Sequence, residues 1–264
     1  MINKLFYTIC MLFVPFSLLA QQLYQKDNFV SNKDTLKYRV MLPDNFSTEK
    51  QYPLVLFLHG AGERGSDNES QLTHGSKLFA SEENRKNFPA IVIFPQCPKN
   101  DYWSNADVDR SGQGVKLVFH DDKKPTKALQ LTIELLQKYS EQPFVDTNKI
   151  YVVGLSMGGM GTFEILSRLP NTFAAAIPIC GGGSESAVRK YAQTPLWVFH
   201  GAQDDVVNPI HSVKMVSAIL NEGGHPKFTL FDTANHNSWD PAFSQPDFLP
   251  WLFAHERTNN VIKE

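Results

Sequence analysis

Short runs of consecutive apolar residues recur along the chain and alternate with segments in which apolar residues follow a helical spacing. The stretch 35–42 (TLKYRVML) alternates apolar and polar positions, which is typical of a half-buried edge strand. Six further runs are almost continuously apolar: 53–58, 90–95, 149–154, 173–180, 195–200 and 227–232. Continuous runs of this kind are typical of parallel strands that are covered on both faces. The pattern therefore predicts seven strands, most of them parallel.

Helical patterns fill the gaps between these strands. Residues 126–140 place Leu129, Ile133 and Leu136 on one face. A second helix is predicted over 209–222, where a proline lies in the first turn and two glycines follow the last. Regular alternation of strands and helices predicts one domain with a doubly wound, mostly parallel α/β sheet.

The first twenty residues have the layout of a secretory signal peptide. Lys4 precedes an apolar run over 5–20 (LFYTICMLFVPFSLLA), which ends at Ala20 before two polar glutamines. The run is shorter than the roughly 20 residues that a membrane-spanning helix needs, so an uncleaved anchor is the less favoured alternative. We therefore expect a signal peptide over 1–20, a single domain over 21–264, a secreted or periplasmic location, and no stable membrane insertion after cleavage.

Composition and charge narrow the class of protein further. The 264 residues carry a net charge of −2, with 42% hydrophobic and 20% charged residues, as in ordinary globular proteins. Nucleic acid is not an expected partner, because no basic stripe interleaved with aromatic residues is present.

Two cysteines lie beyond the signal peptide, and each follows an apolar strand. If the sheet has the usual doubly wound order, the strands before Cys97 and Cys180 lie three positions apart, or roughly 14 Å at ~4.8 Å per strand. A disulfide needs Cα atoms within about 7 Å, so we expect two free, buried thiols.

The stretch 97–125 is predicted as one long irregular loop, rich in Asp, Lys, Gly and Asn. Loops longer than about 12–15 residues inside a compact domain are usually functional or mobile. Because this loop follows the carboxyl end of a predicted strand, where open parallel sheets bind ligands, we expect it to help wall a site.

The strongest chemical signal is the segment Gly154-Leu155-Ser156-Met157-Gly158, between a predicted strand and a predicted helix. A serine at such a sharp turn is exposed, and its flanking glycines let the strand and helix approach closely. The amino terminus of the following helix directs N–H groups and the positive end of its dipole at the serine. This context predicts a nucleophilic Ser156 rather than an incidental serine in a glycine-rich turn.

A nucleophilic serine requires a histidine base held by a carboxylate, and in this architecture the acid and then the histidine follow the serine. Asp204 and Asp205 come directly after the strand 195–200. Because adjacent side chains diverge, only one of them can face the imidazole, and Asp204 is favoured. His236 lies in a polar loop after the strand 227–232, at the same end of the sheet as Ser156. We therefore predict His236 as the base.

A second donor for an oxyanion is expected in the loop after the strand 53–58, so the N–H groups of Ala61 and Met157 form the predicted pair. His59 and His200 each end a buried strand before a glycine and are interpreted as structural histidines. No HExxH or CxxC spacing is present, so we predict no metal and no cofactor.

Six motifs in order resemble those of the α/β-hydrolase superfamily, and more narrowly of bacterial serine esterases related to phospholipase/carboxylesterases, feruloyl esterases and polyhydroxybutyrate depolymerases. The motifs are LHGAGERG (58–65), PQCP (95–98) followed by Trp103, GLSMGGMG (154–161), PICGGG (178–183), HGAQDDVV (200–207) and HNSWD (236–240). The resemblance covers about residues 36 to 255. It implies an α/β-hydrolase fold with about eight strands, Ser156 as nucleophile, Asp204 as acid, His236 as base, and Ala61 and Met157 as oxyanion donors.

The resemblance also implies the activity: hydrolysis of a small-molecule or oligosaccharide ester through an acyl-enzyme, with acyl groups on plant polysaccharide as one substrate class. Trp103 and Trp239 are candidates for the substrate pocket, with ordinary core aromatics as the equal alternative. A serine peptidase of the same fold is the alternative activity, and a catalytically inactive binding protein is a third interpretation.

Overall fold

The structure, a computed structural model, describes residues 23–109, 111 and 115–257. Within these residues the strands are β1 (Gln25–Ser31), β2 (Asp34–Met41), β3 (Tyr52–Leu58), β4 (Ile91–Pro95), β5 (Ala106–Asp109), β6 (Lys116–Phe119), β7 (Val145–Leu155), β8 (Ala175–Ile179), β9 (Trp197–Gly201) and β10 (Lys227–Phe231). The helices are α1 (Ser76–Ala80), α2 (Glu82–Asn87), α3 (Lys127–Ser140), α4 (Met157–Arg168), α5 (Ile210–Asn221), α6 (Trp239–Phe243) and α7 (Phe248–Phe253). Three 3₁₀ turns cover Ala61–Glu63, Ser70–Leu72 and Glu185–Lys190.

Eight strands form one twisted sheet in the order β1-β2-β4-β3-β7-β8-β9-β10. The six strands from β4 to β10 run parallel, whereas β1 pairs antiparallel with β2 and β2 antiparallel with β4. The predicted doubly wound, mostly parallel sheet of about eight strands is therefore confirmed.

Both faces of the sheet are buried, which explains why the sequences of its central strands are continuous apolar runs. Along β3, Leu54, Leu56 and Leu58 face one core cluster, while Val55 and Phe57 face the other, because successive side chains of a strand point to opposite sides. Helices α3, α4 and α5 pack on the first face, and α1, α6 and α7 on the second. The loops that follow the carboxyl ends of the parallel strands all lie on one side of the sheet, and the site lies among these loops.

Both edges of the sheet differ from the sequence-based prediction. The strand predicted as the edge, β2, is covered by β1, whose sequence QKDNFVS has no apolar periodicity. β1 is held by backbone pairing across the two-residue turn Asn32-Lys33, where both residues have positive φ, as a type I′ hairpin requires. At the other edge, β10 is partly exposed, with Leu230 open to solvent.

The stretch 97–125 also differs from the prediction of an irregular loop, because it contains the antiparallel hairpin β5-β6. Leu117 of this hairpin packs with Met160 and Val207, which belong to α4 and to the loop after β9. The apolar run of β6 (KLVF) has no apolar counterpart in β5 (ADVD), so no local pattern marks the pair of strands, which these distant contacts stabilise. These contacts place the hairpin beside α4 and the loop after β9.

Cys97 and Cys180 are buried and free, as predicted. Cys180 follows β8 directly, Cys97 lies two residues after the end of β4, and β3 and β7 separate β4 from β8 in the sheet. The expected three-strand separation therefore explains why the two thiols do not pair.

The predicted signal peptide, residues 1–20, lies outside the described residues. Among the residues described, no helix combines the length and apolarity needed to cross a bilayer.

Candidate active site

Ser156 occupies the sharp turn between β7 and α4 that the sequence predicts. Its backbone has φ 53° and ψ −117°, a conformation that residues with side chains rarely adopt. Two hydrogen bonds hold it there: Ser156 N donates to the Ile179 carbonyl oxygen at 2.8 Å, and Met160 N donates to the Ser156 carbonyl oxygen at 3.0 Å. The turn places the hydroxyl group just beyond the carboxyl end of β7, at the amino terminus of α4.

The two glycines of the motif are required by close backbone contacts. A Cβ atom at Gly158 would overlap the carbonyl oxygen of Leu58 in β3, and a Cβ atom at Gly154 would overlap the carbonyl oxygen of Gly158. Neither overlap could be relieved by a side-chain rotation, because the obstructing atoms belong to the backbone. The glycines therefore allow α4 to start directly against β3 and β7.

A continuous chain of hydrogen bonds joins three distant parts of the sequence. Ser156 Oγ lies 2.9 Å from His236 Nε2, and His236 Nδ1 lies 2.8 Å from Asp204 Oδ2. The His236 side chain is 19% exposed and the Asp204 side chain is fully buried, so the hydrogen-bond chain runs from the surface to a buried carboxylate. The structure thus brings together the three residues that the sequence selects.

The loops after β9 and β10 are tied to each other, which fixes Asp204 relative to His236. Gln203 N donates to the Ala234 carbonyl oxygen at 3.0 Å, and Asp205 N donates to Asn235 Oδ1 at 3.2 Å. The Asp205 side chain is turned to solvent, so Asp204 is the member of the pair that faces the imidazole.

Asp204 is kept ionised despite its burial. Burial alone would raise the pKa of its carboxyl group. Hydrogen bonds from His200 and His236 outweigh that effect, and the Val207 amide adds to them, so the pKa lies well below the ordinary aspartate value. A charged carboxylate at this position favours a hydrogen on His236 Nδ1 and leaves Nε2 to accept one from Ser156.

The loop after β3 lies against the serine turn. A Cβ atom at Gly60 would be 3.7 Å from Ser156 Cβ. Ala61 is the first residue of the 3₁₀ turn Ala61–Glu63, and Met157 is the first residue of α4. The first N–H groups of a helix have no hydrogen-bond partner within the helix. Both predicted oxyanion donors therefore belong to helix starts beside Ser156.

Arg64 anchors this loop, a role that the sequence analysis did not identify. Its Nε donates to the Ala61 carbonyl oxygen and its Nη1 to the Asp101 carbonyl oxygen, both at 3.1 Å. A single basic residue in a glycine-rich loop is the signal that could have marked it.

His59 is a structural residue, as the sequence predicts. Its Nδ1–H donates to the Gly60 carbonyl oxygen at 2.7 Å, and its Nε2 accepts a hydrogen bond from Cys97 N at 3.0 Å. Burial lowers the pKa of His59 to about 4, so the ring is neutral near pH 7.

Trp103 does not line an open pocket, which corrects one of the two tryptophan expectations. Its side chain has no exposed surface, and its indole N–H donates to the His59 carbonyl oxygen at 3.1 Å. It therefore supports the loop after β3 from behind, and a substrate cannot touch it in this conformation.

Trp239 lies at the mouth of the site and is partly exposed. Its ring meets His236 edge-on with centroids 5.4 Å apart, and the ring centroids of His74 and Trp239 lie 5.1 Å apart in a tilted arrangement. The position fits a side chain that both steadies His236 and offers an aromatic surface to a ligand.

One trio of potential metal ligands exists among the described residues: Cys180, Asp204 and His236 each bring one ligand atom within 4.8 Å of the others. The donor set is poorly suited to a metal, because His236 Nδ1 is already bonded to Asp204 and burial raises the pKa of the Cys180 thiol. We therefore assign Asp204 and His236 to the hydrogen-bond chain with Ser156 and propose no metal at this trio.

Comparison with known families gives one match that covers most of the chain. The sequence model of the Esterase family matches residues 31–243, a range that includes Ser156, Asp204 and His236 and leaves out only β1, apart from its last residue, and α7 among the strands and helices described.

Individual relatives agree with that match. A bifunctional acetylxylan esterase/xylanase of Neocallimastix patriciarum is 28% identical over 169 residues, which are 64% of this chain and 21% of that protein. Feruloyl esterase B of Thermothelomyces thermophilus is 24% identical over 229 residues, 72% of each chain. The crystal structure of a thermostable esterase superimposes with a TM-score of 0.81 at 34% identity over 90% of this chain and 64% of that one. The chain thus spans only part of the first and third of these proteins.

We predict that Gly158→Ala destabilises the protein by at least about 3 kcal/mol, because the added methyl group must push the backbone of β3 away from α4. Gly62→Ala is the matched control, since its added methyl group meets nothing within 4 Å. The control is expected to change the free energy of unfolding by less than about 1 kcal/mol. Urea unfolding of both variants measures the difference, and equal stabilities would contradict the packing described for the turn.

Proposed function

This chain belongs to the Esterase family and has the α/β-hydrolase fold, and from that premise we propose that it hydrolyses carboxylic esters with Ser156 as nucleophile. The observation that carries the proposal is the unbroken hydrogen-bond chain from Ser156 through His236 to the buried Asp204. A serine hydroxyl is a weak nucleophile by itself, and this chain supplies both the base and the group that orients it.

In the proposed reaction, Ser156 Oγ attacks the ester carbonyl carbon while its proton passes to His236 Nε2. The protonated imidazole then donates that proton to the departing alkoxide, and an alcohol leaves. The acyl group remains on Ser156 as an ester. Water, activated by His236 in the same way, hydrolyses this intermediate and restores the free hydroxyl.

Each tetrahedral intermediate places a negative charge on the former carbonyl oxygen. We assign its stabilisation to the N–H groups of Ala61 and Met157, with the positive end of the α4 dipole behind Met157. A donor of this kind typically lowers the barrier by ~2.7–4 kcal/mol. The bonds from Arg64 to the Ala61 carbonyl oxygen and to the neighbouring loop support a fixed orientation of this peptide segment.

The substrate class that we propose is an acyl group carried on plant polysaccharide or on a fragment of it. Support comes from the names of two relatives, an acetylxylan esterase/xylanase and a feruloyl esterase. In this chain Trp239 offers an aromatic surface next to His236, on which a sugar or a phenolic ring could rest. The mechanism as proposed uses side chains, backbone N–H groups and water.

Export is part of the proposal. Residues 1–20 have the charge and apolar pattern of a signal peptide, and a polymeric substrate outside the cytoplasm requires an exported enzyme.

The activity can be measured with three substrates: a short p-nitrophenyl ester, methyl ferulate and a peptide p-nitroanilide. We expect the wild-type protein to turn over at least one ester and not the anilide. Ser156→Ala should lower kcat/KM for that ester by at least about 10⁴-fold, because the nucleophile is lost, while the melting temperature stays close to that of the wild type. Ester turnover that survives this substitution would refute the proposal, and preferred cleavage of the anilide would favour a peptidase.

The two neighbouring aspartates provide a matched pair of variants. Asp204→Asn keeps the size of the side chain but removes the charge that favours a hydrogen on His236 Nδ1, so kcat should fall roughly 10⁴-fold. Asp205→Asn changes an exposed carboxylate, and its effect should stay within about 0.5 kcal/mol, or roughly twofold in rate. Steady-state kinetics on the same ester test the pair, and equal losses in the two variants would argue against Asp204 as the acid.

A further inference from the structure

His200, the fourth residue of β9, lies directly beneath Asp204 and is fully buried. Its Nε2 is 3.2 Å from Asp204 Oδ2 and 2.9 Å from the Val207 carbonyl oxygen. Its Nδ1 is 2.7 Å from Ser212 Oγ in α5. Both ring nitrogens therefore have polar partners inside the protein, and one of those partners is the proposed catalytic acid.

The partners determine which nitrogen carries a hydrogen. A carboxylate oxygen and a carbonyl oxygen can only accept hydrogen bonds, so a lone pair on His200 Nε2 would face two other lone pairs. A hydrogen on Nε2 instead satisfies both oxygens in a shared bond. Ser212 Oγ has one hydrogen: either it donates that hydrogen to the Gly181 carbonyl oxygen at 3.0 Å and accepts from Nδ1, or it donates to Nδ1 instead. The surroundings thus require Nε2–H and leave Nδ1 free to be either donor or acceptor.

With that hydrogen in place, both oxygens of Asp204 are fully occupied. Oδ1 accepts from the N–H groups of Val206 and Val207 at 2.9 and 2.8 Å. Oδ2 lies between two imidazoles: His236 Nδ1, towards Ser156, and His200 Nε2, towards the protein core. A carboxylate has about four lone-pair sites, and four donors from three directions leave it no room to rotate.

We propose that His200 is a positioning residue for the esterase reaction: its Nε2–H fixes the Asp204 carboxylate so that Oδ2 stays aimed at His236 Nδ1. His200 touches no substrate and acts only through Asp204. The inference rests on the proposed function for its catalytic consequence and on hydrogen-bond geometry alone for the state of the ring.

Two amide side chains separate this role from simple packing. In His200→Gln the amide nitrogen can occupy the place of Nε2 and donate to Asp204. In His200→Asn the shorter side chain places its amide near Nδ1, where it reaches Ser212 but not Asp204. We expect the Asn variant to lose roughly 10- to 100-fold in kcat with little change in KM, as when a supporting hydrogen bond to a reacting group is removed. The Gln variant should recover to within about threefold of the wild type, less than 1 kcal/mol.

A structural role through Ser212 would give the opposite ranking, with the Asn variant the more active. That result, or equal activities of the two variants, would overturn the proposal. Circular dichroism and melting temperatures establish that the compared proteins are folded.

A measurement on the unaltered protein keeps the inference testable even if a variant does not fold. In a long-range ¹H–¹⁵N spectrum of the protein labelled with ¹⁵N-histidine, the His200 signals are those missing from His200→Gln, or from His200→Phe if the first variant is unstable. We expect Nε2 to carry a hydrogen, seen as a protonated-nitrogen shift. A ring protonated on Nδ1 alone would refute the proposal.

The same experiments separate failure of this inference from failure of the proposed function. A wild-type protein without ester hydrolysis would end the esterase proposal, and the spectrum would still decide whether His200 donates to Asp204. Ester hydrolysis that depends on Ser156 but not on the choice of Gln or Asn at position 200 would end only the His200 proposal.

Discussion

The site depends first on the backbone conformation of Ser156, a residue with a side chain that is held at positive φ between β7 and α4. Such a conformation costs on the order of 1–3 kcal/mol and persists only where the surroundings enforce it. The enforcement comes from the backbone bonds to Ile179 and Met160 and from the contact of Gly158 with β3. Any change that relaxes these contacts would move the hydroxyl away from His236, so the packing of the sheet and the chemistry of the site are linked at one residue.

The second constraint lies on the acid side of the site, where a buried carboxylate must remain charged. An isolated carboxylate in the interior would take up a proton, because burial penalises its charged form. Asp204 escapes that outcome through donors from its own loop, from the loop after β10 and from β9 itself. Its lowered pKa means that this stability is present above the ordinary aspartate range and is lost as the pH falls through the lower, folded-state value. The site therefore depends on buried hydrogen-bond donors that occupy both oxygens of Asp204.

Much of this arrangement could be predicted from the sequence, because the relevant signals are local or follow from topology. Continuous apolar runs identify the parallel strands, and the glycines around Ser156 identify the turn. The order serine, acid, histidine then selects His236 by its place after a strand. These rules need no knowledge of side-chain packing, and the three residues that they select lie in one hydrogen-bond chain in the structure.

The remaining features depend on contacts that no local pattern records. The polar strand β1 exists because β2 offers an unpaired edge, and the hairpin β5-β6 exists because Met160 and Val207 receive Leu117. A tryptophan after a strand reads equally well as a pocket wall or as a core residue, and only packing shows that Trp103 lies behind the loop. His200 likewise reads as an ordinary buried histidine until its distance to Asp204 is known.

The central claim is that the hydroxyl of Ser156 is the group that His236 and Asp204 activate for attack. A fluorophosphonate tests it most directly, since an activated serine displaces fluoride from phosphorus and keeps the phosphonyl group. Peptide mapping by mass spectrometry should find one adduct per chain, on Ser156, formed at the rate at which ester hydrolysis is lost. A protein that hydrolyses esters yet carries the adduct on another residue, or loses activity without any adduct on Ser156, would contradict the account.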